Sequence, residues 1–505
     1  MYIDTVPNRK SPPAVLLRES VRVGAKTVKR TLANLSALPP EAVAALQVVL
    51  RGGRVVEDGG PLAIERSLPC GHVQAVTMAM RRLGMAELVS SKPCPERDAV
   101  LAMIAQRLVR PGSKLESVAL FADTTLADDF GVTGVDENDL YAAMDWLLER
   151  QPFIERKLAK RHLREGSMVF YDVSSSSYHG THCPLAVPCY NRDGLKLPGI
   201  VYGLLTDADG RPVAVRVYPG NTADPATVPD QIEALRKTFA VGRFVIVGDR
   251  GMLTSAQIDR LREVSGCGWI SCLRSGDIRK LIESRDPSDA PLFTHSDLAE
   301  LEHPDFPGER LIACFNPLDG IYIVRTSEPA DAVSASDAVR AYKRLGNVEK
   351  AFRTFKGIDL RIRPINHRLE DRVRAHILLC MLAYYVEWHM RTALAPLLYA
   401  DDDLEANRAT RDPVAKAEPS PAVRRKCSTK ESTDGIPLRR WDGLIASLST
   451  LVRNTCRVGE GKTTVRFPRQ TEPNAYQSRV FDLLAQDAPW WPTDVPSRRN
   501  ARNRT

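Results

Sequence analysis

The sequence has no long hydrophobic run and no dense group of cysteines. Its longest apolar stretch, residues 377–386, is half the length that a membrane-spanning helix requires. The ten cysteines are scattered and include no CxxC pair, which indicates a reducing compartment rather than a disulfide framework. Residues 1–10 contain an early aspartate and no apolar core, so they do not resemble a signal peptide. We therefore expect a soluble, cytoplasmic protein without a membrane partner.

Acidic residues are outnumbered by basic ones. The 70 lysines and arginines against 62 aspartates and glutamates give a formal net charge of +8 and a pI near 8.9. Such an excess is compatible with a polyanionic partner, although many basic proteins bind no nucleic acid. The length of 505 residues predicts roughly two to four domains.

Changes of pattern along the chain predict five segments. They are a basic β-ribbon module at 1–66, a helical domain at 67–165, an α/β domain at 166–265 and 336–400, a β-rich insertion at 266–335, and a polar, largely disordered tail at 401–505. In the first segment a predicted hairpin carries Arg18, Arg22, Lys26, Lys29 and Arg30. A solvated ribbon face is the slightly favoured interpretation of these charges, and a contact with a DNA backbone is the alternative.

Residues 166–265 have the strand and helix order of a ribonuclease H-like domain. The predicted order is strands at 168–173, 199–205 and 213–218, a helix at 227–239, a strand at 244–248 and a helix at 255–264. The predicted fold class is therefore α/β. We expect a ribonuclease H-like mixed sheet with flanking helices, interrupted by the β-rich insertion and preceded by the β-ribbon and the helical domain.

Three carboxylates stand in positions that suit a metal-dependent site. Asp172 and Asp249 each follow an apolar, β-branched run, which places them at the carboxyl edge of buried strands. Glu349 lies on a predicted helix over about 336–356. Hard divalent cations prefer oxygen ligands, and a pair of them can bind both the attacking and the leaving oxygen of a phosphodiester. A turn or helix cap would be the ordinary interpretation of either aspartate alone, but three such sites together favour phosphoryl transfer.

The predicted glutamate helix carries a polar stripe. Tyr342, Glu349 and Lys356 are spaced seven residues apart, so their side chains return to almost the same face. Arg353 lies one turn beyond Glu349 on that face. A solvated Glu349–Arg353 ion pair is the alternative interpretation, but it does not account for Tyr342 and Lys356. The stripe therefore favours a functional glutamate.

These residues resemble the Tyr-Arg-Glu-Lys signature of the bacterial DDE insertion-sequence transposases. In that signature two residues separate Tyr from Arg, three separate Arg from Glu, and six separate Glu from Lys. Tyr342, Glu349 and Lys356 fit it, whereas the arginine position is Leu345. Arg344 is one residue early, and Arg353 is a candidate for part of the missing arginine's role. Further similar stretches lie at 190–194, 219–224, 248–252 and 361–367.

The resemblance implies a DNA transposase whose α/β domain is catalytic and whose helical domain binds DNA. Asp172, Asp249 and Glu349 would be the catalytic residues and would hold two Mg²⁺ ions, or Mn²⁺. The implied DNA-binding residues are Tyr342, Arg344, Arg353, Lys356 and Arg250. The implied partner is double-stranded DNA, both terminal inverted repeats and target DNA. The protein would bind the DNA ends as a homodimer, at the nucleoid in the bacterial cytoplasm.

Two other functions stay open on the sequence alone. One is a catalytically inactive, transposase-derived DNA-binding protein, and the other is a structure-specific nuclease on the same fold. The intact set of three carboxylates favours a catalytic protein over the first of these. Asp207 and Asp224 are interpreted as turn residues rather than as metal ligands.

Overall fold

The structure is a computed structural model that describes residues 1–8, 12–23, 26–52, 62–190, 196–284, 297–316, 320–402, 404–415, 418–459 and 464–493. Its strands are β1 (Tyr2–Val6), β2 (Ala14–Val23), β3 (Lys26–Asn34), β4 (Ala63–Pro69), β5 (Ser167–Ser177), β6 (Val187–Tyr190), β7 (Lys196–Thr206), β8 (Pro212–Pro219), β9 (Phe244–Val247), β10 (Cys267–Cys272), β11 (Leu298–Leu301), β12 (Arg310–Asn316), β13 (Gly320–Thr326), β14 (Val452–Val458) and β15 (Val465–Gln470).

Its helices are α1 (Pro40–Leu50), α2 (Gly71–Arg82), α3 (Met85–Val89), α4 (Pro95–Val109), α5 (Lys114–Asp123), α6 (Leu126–Phe130), α7 (Glu137–Glu149), α8 (Gln151–His162), α9 (Val228–Glu233), α10 (Ser255–Arg262), α11 (Ser275–Glu283), α12 (Ala335–Lys343), α13 (Leu345–Lys356), α14 (Glu370–Ala393), α15 (Leu404–Thr410), α16 (Pro421–Thr429), α17 (Trp441–Ser449) and α18 (Ala475–Ala485). Short 3₁₀ helices lie at Asp224–Thr227 and Ala395–Leu397, and a π-helical turn lies at Ala234–Thr238.

The chain divides into two compact units. The smaller unit contains Met1–Ser67 and Arg453–Thr471, and the larger contains Leu68–Val452 and Glu472–Thr505. No helix in the part of the chain that the structure describes is both long and apolar enough to cross a lipid bilayer.

The smaller unit is built on two antiparallel sheets. In the first, β1 pairs with β2 between Ala14 and Arg18, and β2 pairs with β3 along almost its whole length. The predicted hairpin is therefore present, with a third strand at its base. The second sheet has the order β15-β14-β4, so it joins segments that are far apart in sequence. Glu65 of β4 forms ion pairs with Arg457 at 3.1 Å and with Arg466 at 2.8 Å in this sheet.

A mixed sheet, nine-stranded over the described residues, forms the centre of the larger unit. Its order is β11-β12-β13-β10-β9-β5-β7-β6, and β8 also pairs with β7. β7 is antiparallel to both β5 and β8, whereas β9 runs parallel to β5 and β10 runs parallel to β9. The resulting order β8-β7-β5-β9-β10 is that of a ribonuclease H-like sheet. The predicted α/β fold class is confirmed.

Residues 266–335 extend this sheet instead of forming a lobe beside it. The segment is β-rich as predicted, but β10 pairs with β9 on one side and with β13 on the other. Residues 268–272 of β10 are all buried, as expected of a central strand covered on both faces. The sequence pattern showed a short apolar run with polar connections, and it could not show which strands that run would pair with.

The helix that follows α13 lies at the centre of the larger unit. Nearly every side chain of α14 from Val373 to Met390 is buried, and α14 packs against α4, α7, α13 and β8. Its sequence is apolar on nearly every face, as expected of a buried helix. The helix therefore connects the helical segment before β5 with the sheet.

The segment 401–505 differs from the predicted disordered tail within its described residues. It contains α15 to α18 and strands β14 and β15. Trp441, Leu444 and Leu448 of α17 are buried, as are Val480 and Leu484 of α18. Charged and proline-rich stretches dominate the composition of this segment, but two short amphipathic helices within it still bury apolar faces.

Candidate active site

The register between β5 and β9 places Asp172 and Asp249 side by side. These strands are parallel, and Phe170 is the partner of Val247. Asp172 and Asp249 each lie two residues beyond that pair, at the same level of adjacent strands about 5 Å apart. Asp249 lies just beyond the carboxyl end of β9, as predicted. The prediction that Asp172 ends a strand is wrong, because β5 continues past it to Ser177 beside β7.

Glu349 approaches the same region from the first turns of α13. This helix packs against β5, the strand that carries Asp172. Burial raises the pKa of the Asp172 carboxyl to about 7. The negative charges of Asp249 and Glu349 add to this rise, so both carboxylates lie close enough to act on Asp172. The structure thus brings together the three carboxylates that the sequence singled out.

Asp249 is held by neighbours on two sides. Its Oδ1 accepts a hydrogen bond from the Tyr342 hydroxyl at 3.2 Å, and its Oδ2 accepts one from the Gly251 amide at 3.3 Å. Burial raises the pKa of Tyr342 well above its usual range, and the negative charge of Asp249 contributes to the rise. The phenol therefore stays protonated and acts as a donor that orients Asp249.

Lys356 contacts the strand that carries Asp172. Its Nζ donates to the Ser174 hydroxyl at 2.5 Å and lies 6.0 Å from the centroid of the Tyr202 ring. Ser174 follows Asp172 by two residues on β5, so both side chains are on one face of the sheet. This hydrogen bond connects the carboxyl end of α13 to β5, close to Asp172.

The predicted glutamate helix is two helices. α12 ends at Lys343 and α13 begins at Leu345, with Arg344 between them at ψ −13°. The Arg344 amide bonds to the carbonyls of both Arg340 and Ala341, which tightens the turn as in a 3₁₀ helix. Tyr342 and Glu349 are therefore not two turns apart on one continuous helix. They reach the site because α12 packs on β10 while α13 packs on β5.

Three cationic residues implied by the signature surround this region. Arg250 and Arg353 are exposed, and Arg344 is half-buried at the junction of α12 and α13. The positive charge of Arg250 opposes the rise of the Tyr342 pKa, so Arg250 lies near that phenol. Arg353 is on α13, four residues beyond Glu349.

Asp224 is a fourth carboxylate that the sequence interpretation treated as a turn residue only. It begins the 3₁₀ helix after β8, and its carbonyl accepts a hydrogen bond from the Thr227 hydroxyl at 2.7 Å. Its negative charge also raises the pKa of Asp172. Burial and the charge of Asp249 raise the pKa of Asp224 itself. The stretch 219–224 was visible as a motif, but its closeness to Asp172 depends on β8 returning beside β7.

The donor chemistry of the site fits a hard divalent cation. Its candidate metal ligands are all carboxylates, which are the ligands that such a cation prefers. Burial, with a smaller contribution from the charges of Asp249 and Glu349, raises the pKa of Asp172. The carboxylates do not converge on one point. Over the described ranges, no group of three or more His, Cys, Asp or Glu is close enough to hold one metal ion. This also applies to His179, His182 and Cys183, which lie close together in sequence.

The arrangement defines a ribonuclease H-like domain with one carboxylate within β5 and another just beyond the neighbouring strand β9. Residues 164–386 match the family model of the transposase DDE domain. This segment is therefore a transposase DDE domain, and the resemblance that the motifs indicated is confirmed.

The chain was also compared with curated proteins and with solved structures. No curated protein matches the chain. Among solved structures, a piggyBac transposase synaptic complex with hairpin DNA matches with a TM-score of 0.37 and 11% sequence identity, over 89% of this chain and 92% of that chain. A TM-score at this level supports no conclusion about the fold or the function.

Proposed function

We propose that the protein is a DNA transposase. It cleaves DNA at the terminal inverted repeats of an insertion sequence and joins the 3′ ends to target DNA by metal-dependent phosphoryl transfer. The observation that carries this proposal is the geometry: the register places Asp172 and Asp249 side by side on adjacent strands, and the helix of Glu349 packs against β5. The match of residues 164–386 to the transposase DDE domain supports it.

In this proposal Asp172, Asp249 and Glu349 hold two Mg²⁺ ions, with Mn²⁺ as a substitute. When bound, the ions would activate the attacking hydroxyl and stabilise the departing 3′ oxygen. The chain's own residues bind and orient the reacting strand. Tyr342 fixes Asp249 through its hydrogen bond, and the Val173 amide, which donates to Asp172 Oδ1 at 2.8 Å, fixes the orientation of Asp172.

The cationic residues of the region would bind the phosphates that flank the scissile bond. Lys356 and Arg353 follow Glu349 along α13, and Arg250 follows Asp249 directly. Arg344 at the junction of the helices completes the set. Phosphate contacts of this kind position a strand without reading its sequence. The terminal repeats and the target are double-stranded DNA, and two copies of the chain would bring two ends together at the nucleoid.

The test begins with the DNA that flanks the gene. Inverted repeats that bracket the reading frame supply the duplex for binding and cleavage assays in Mg²⁺ or Mn²⁺. We expect Asp172→Asn, Asp249→Asn and Glu349→Gln to lose cleavage by ~100-fold or more. Binding should stay within a few-fold of wild type, because affinity comes mainly from phosphate contacts.

Matched controls exist on the same domain. Asp259→Asn and Glu233→Gln make the same chemical changes at surface ion pairs with Arg262 and Lys237. Both should cleave like the wild type. Binding of the ends by wild type without any cleavage would identify an inactive DNA-binding protein. Cleavage of branched DNA, regardless of end sequence and without joining, would identify a nuclease.

A further inference from the structure

The hairpin of the smaller unit projects beyond the strand that supports it. β1 covers β2 only between Ala14 and Arg18, so residues 19–23 and 26–30 form a two-stranded arm. Val21 and Val28 on this arm are 39% and 49% exposed. A two-stranded ribbon without a covering layer is marginally stable on its own. An exposed ribbon of this kind gains stability when it binds a partner.

The register separates the arm into two faces of different character. Residues directly opposite each other in an antiparallel pair share a face. Arg18 is opposite Thr31, Ser20 is opposite Lys29, and Arg22 is opposite Thr27. We call these six residues the cationic face. The opposite face contains Glu19, Val21, Val23, Lys26, Val28 and Arg30.

The cationic face has three basic residues and one acidic neighbour, whereas the opposite face has two basic residues and one acidic residue. Asp4 is its acidic neighbour and lies 2.8 Å from Arg18 and 3.4 Å from Lys29. Arg22 is exposed and forms no ion pair with the residues that the structure describes. On the opposite face, Arg30 lies 3.7 Å from Glu19, so these two charges balance and Lys26 is the remaining positive charge.

The spacing of the cationic face suits a polyanionic backbone. Arg18, Lys29 and Arg22 follow one another at steps of about 7 Å, because same-face residues on a strand repeat every two positions. Hydroxyl groups of Ser20, Thr27 and Thr31 lie among them and can donate to phosphate oxygens. A two-stranded ribbon is also narrow enough to enter the major groove of B-DNA, which is about 12 Å wide.

We propose that the cationic face of this arm binds the backbone of duplex DNA. The proposal rests on the proposed function in taking DNA as the polyanion, and it adds a second DNA-binding surface that lies outside the DDE domain. The charge distribution assigns the contact to Arg22 and Lys29, while Arg18 is held at the base of the arm by Asp4.

The test is the affinity of the full-length protein for labelled duplex DNA as a function of salt concentration. We expect the double variant R22A/K29A to bind about tenfold more weakly near 0.1 M salt. The slope of log affinity against log salt should flatten by about 1.8, since each lost phosphate contact accounts for about 0.9. R30A is the matched control, because it removes a positive charge from the neighbouring position on β3 but on the opposite face.

Several outcomes would overturn the proposal. Unchanged DNA affinity and an unchanged salt slope in R22A/K29A would show that the arm does not contact DNA. An equal loss in R30A, per charge removed, would assign the effect to net charge rather than to the face. If R22A/K29A no longer dimerises but binds DNA with unchanged affinity, the cationic face contacts a second copy of the chain instead.

The arm and the catalytic site can be tested separately. If wild type and R22A/K29A cleave and bind DNA alike, the arm proposal fails and the proposed transposase activity stands. If R22A/K29A weakens binding while wild type cleaves nothing, the arm proposal stands and the catalytic proposal fails. With both proposals correct, R22A/K29A should recover cleavage at low salt and saturating protein, whereas Asp172→Asn should not.

Discussion

Ser174 shows how a residue outside the carboxylate set can hold the site in shape. Its hydroxyl accepts a hydrogen bond from Lys356 at 2.5 Å, and Lys356 lies seven residues after Glu349 on α13. Ser174 also shares a face of β5 with Asp172. The contact therefore fixes the position of the helix that carries Glu349 relative to the strand that carries Asp172.

Removing this contact should reduce the rate of cleavage more than the affinity for DNA. We expect Ser174→Ala to lower the single-turnover rate about tenfold, because small displacements of reacting groups are costly. Ser174→Thr restores a hydroxyl and should recover most of the rate. Ser175→Ala, which changes the other face of the same strand, is the control. Equal rates for Ser174→Ala and Ser175→Ala would show that the Lys356 contact has no role in positioning.

Glu387 is a buried acid on the face of α14 near α13. Its side chain is fully buried, and its Oε1 accepts a hydrogen bond from Arg391 at 2.5 Å. Its Oε2 has no partner among the described residues. Burial raises the pKa of Glu387 from an ordinary 4.5 to about 7. Arg391 and Lys350 oppose the rise, and Asp359 adds to it.

The stability of the protein should fall as this group ionises. Because the pKa is higher in the folded state, the contribution of Glu387 is fully present below pH 4.5 and is lost as the pH rises through about 7. Glu387→Gln removes the titration while keeping an acceptor for Arg391. At about 1.4 kcal/mol per pKa unit, the variant should gain up to ~3 kcal/mol over wild type between pH 5 and pH 8.

The measurement is thermal unfolding of wild type and Glu387→Gln at both pH values, with hydrogen exchange of α14 as a local readout. Glu370→Gln on the same helix is the control, since Glu370 is 39% exposed and pairs with Arg374. Parallel pH profiles for wild type and Glu387→Gln would show that Glu387 stays charged in the folded protein.

Local pattern was enough to predict most single elements. The predicted helix at 255–264 is α10 at Ser255–Arg262, and the predicted strand at 244–248 is β9 at Phe244–Val247. Three features depended on contacts between distant segments and were not predictable in this way. They are the break at Arg344, the pairing of β10 within the central sheet, and the return of Asp224 to the site. Asp172, Asp249 and Glu349 could be identified because each lies in a recognisable local motif.

The larger unit depends on a segment from the far end of the chain. α18 packs against α2 and α14, and Leu484 of α18 is fully buried. Arg82 of α2 donates to the carbonyl of Leu484 at 3.1 Å and pairs with Asp487 at 2.7 Å. The stretch 472–493 is thus part of the folded body.

Truncating a side chain in this segment should therefore destabilise the whole protein. We expect Leu484→Ala to lower the free energy of unfolding by about 2–5 kcal/mol, as large-to-small changes in a core do. Asp482→Ala on the exposed side of α18 should change it by less than ~0.5 kcal/mol. Chemical or thermal unfolding of both variants is the measurement. Equal melting temperatures would place α18 outside the cooperative core.

The sheet that joins β4 to β14 and β15 also sets an order of events during synthesis. β4 leaves the ribosome early, but its partner strands follow only after the whole segment that carries the carboxylates has been made. At a synthesis rate of about 5–20 residues per second this delay is roughly 20–80 s. A nascent chain can therefore assemble the strands of Asp172 and Asp249 while its smaller unit is still incomplete. Premature termination before β14 would release a chain that retains the carboxylates but lacks the sheet that completes that unit.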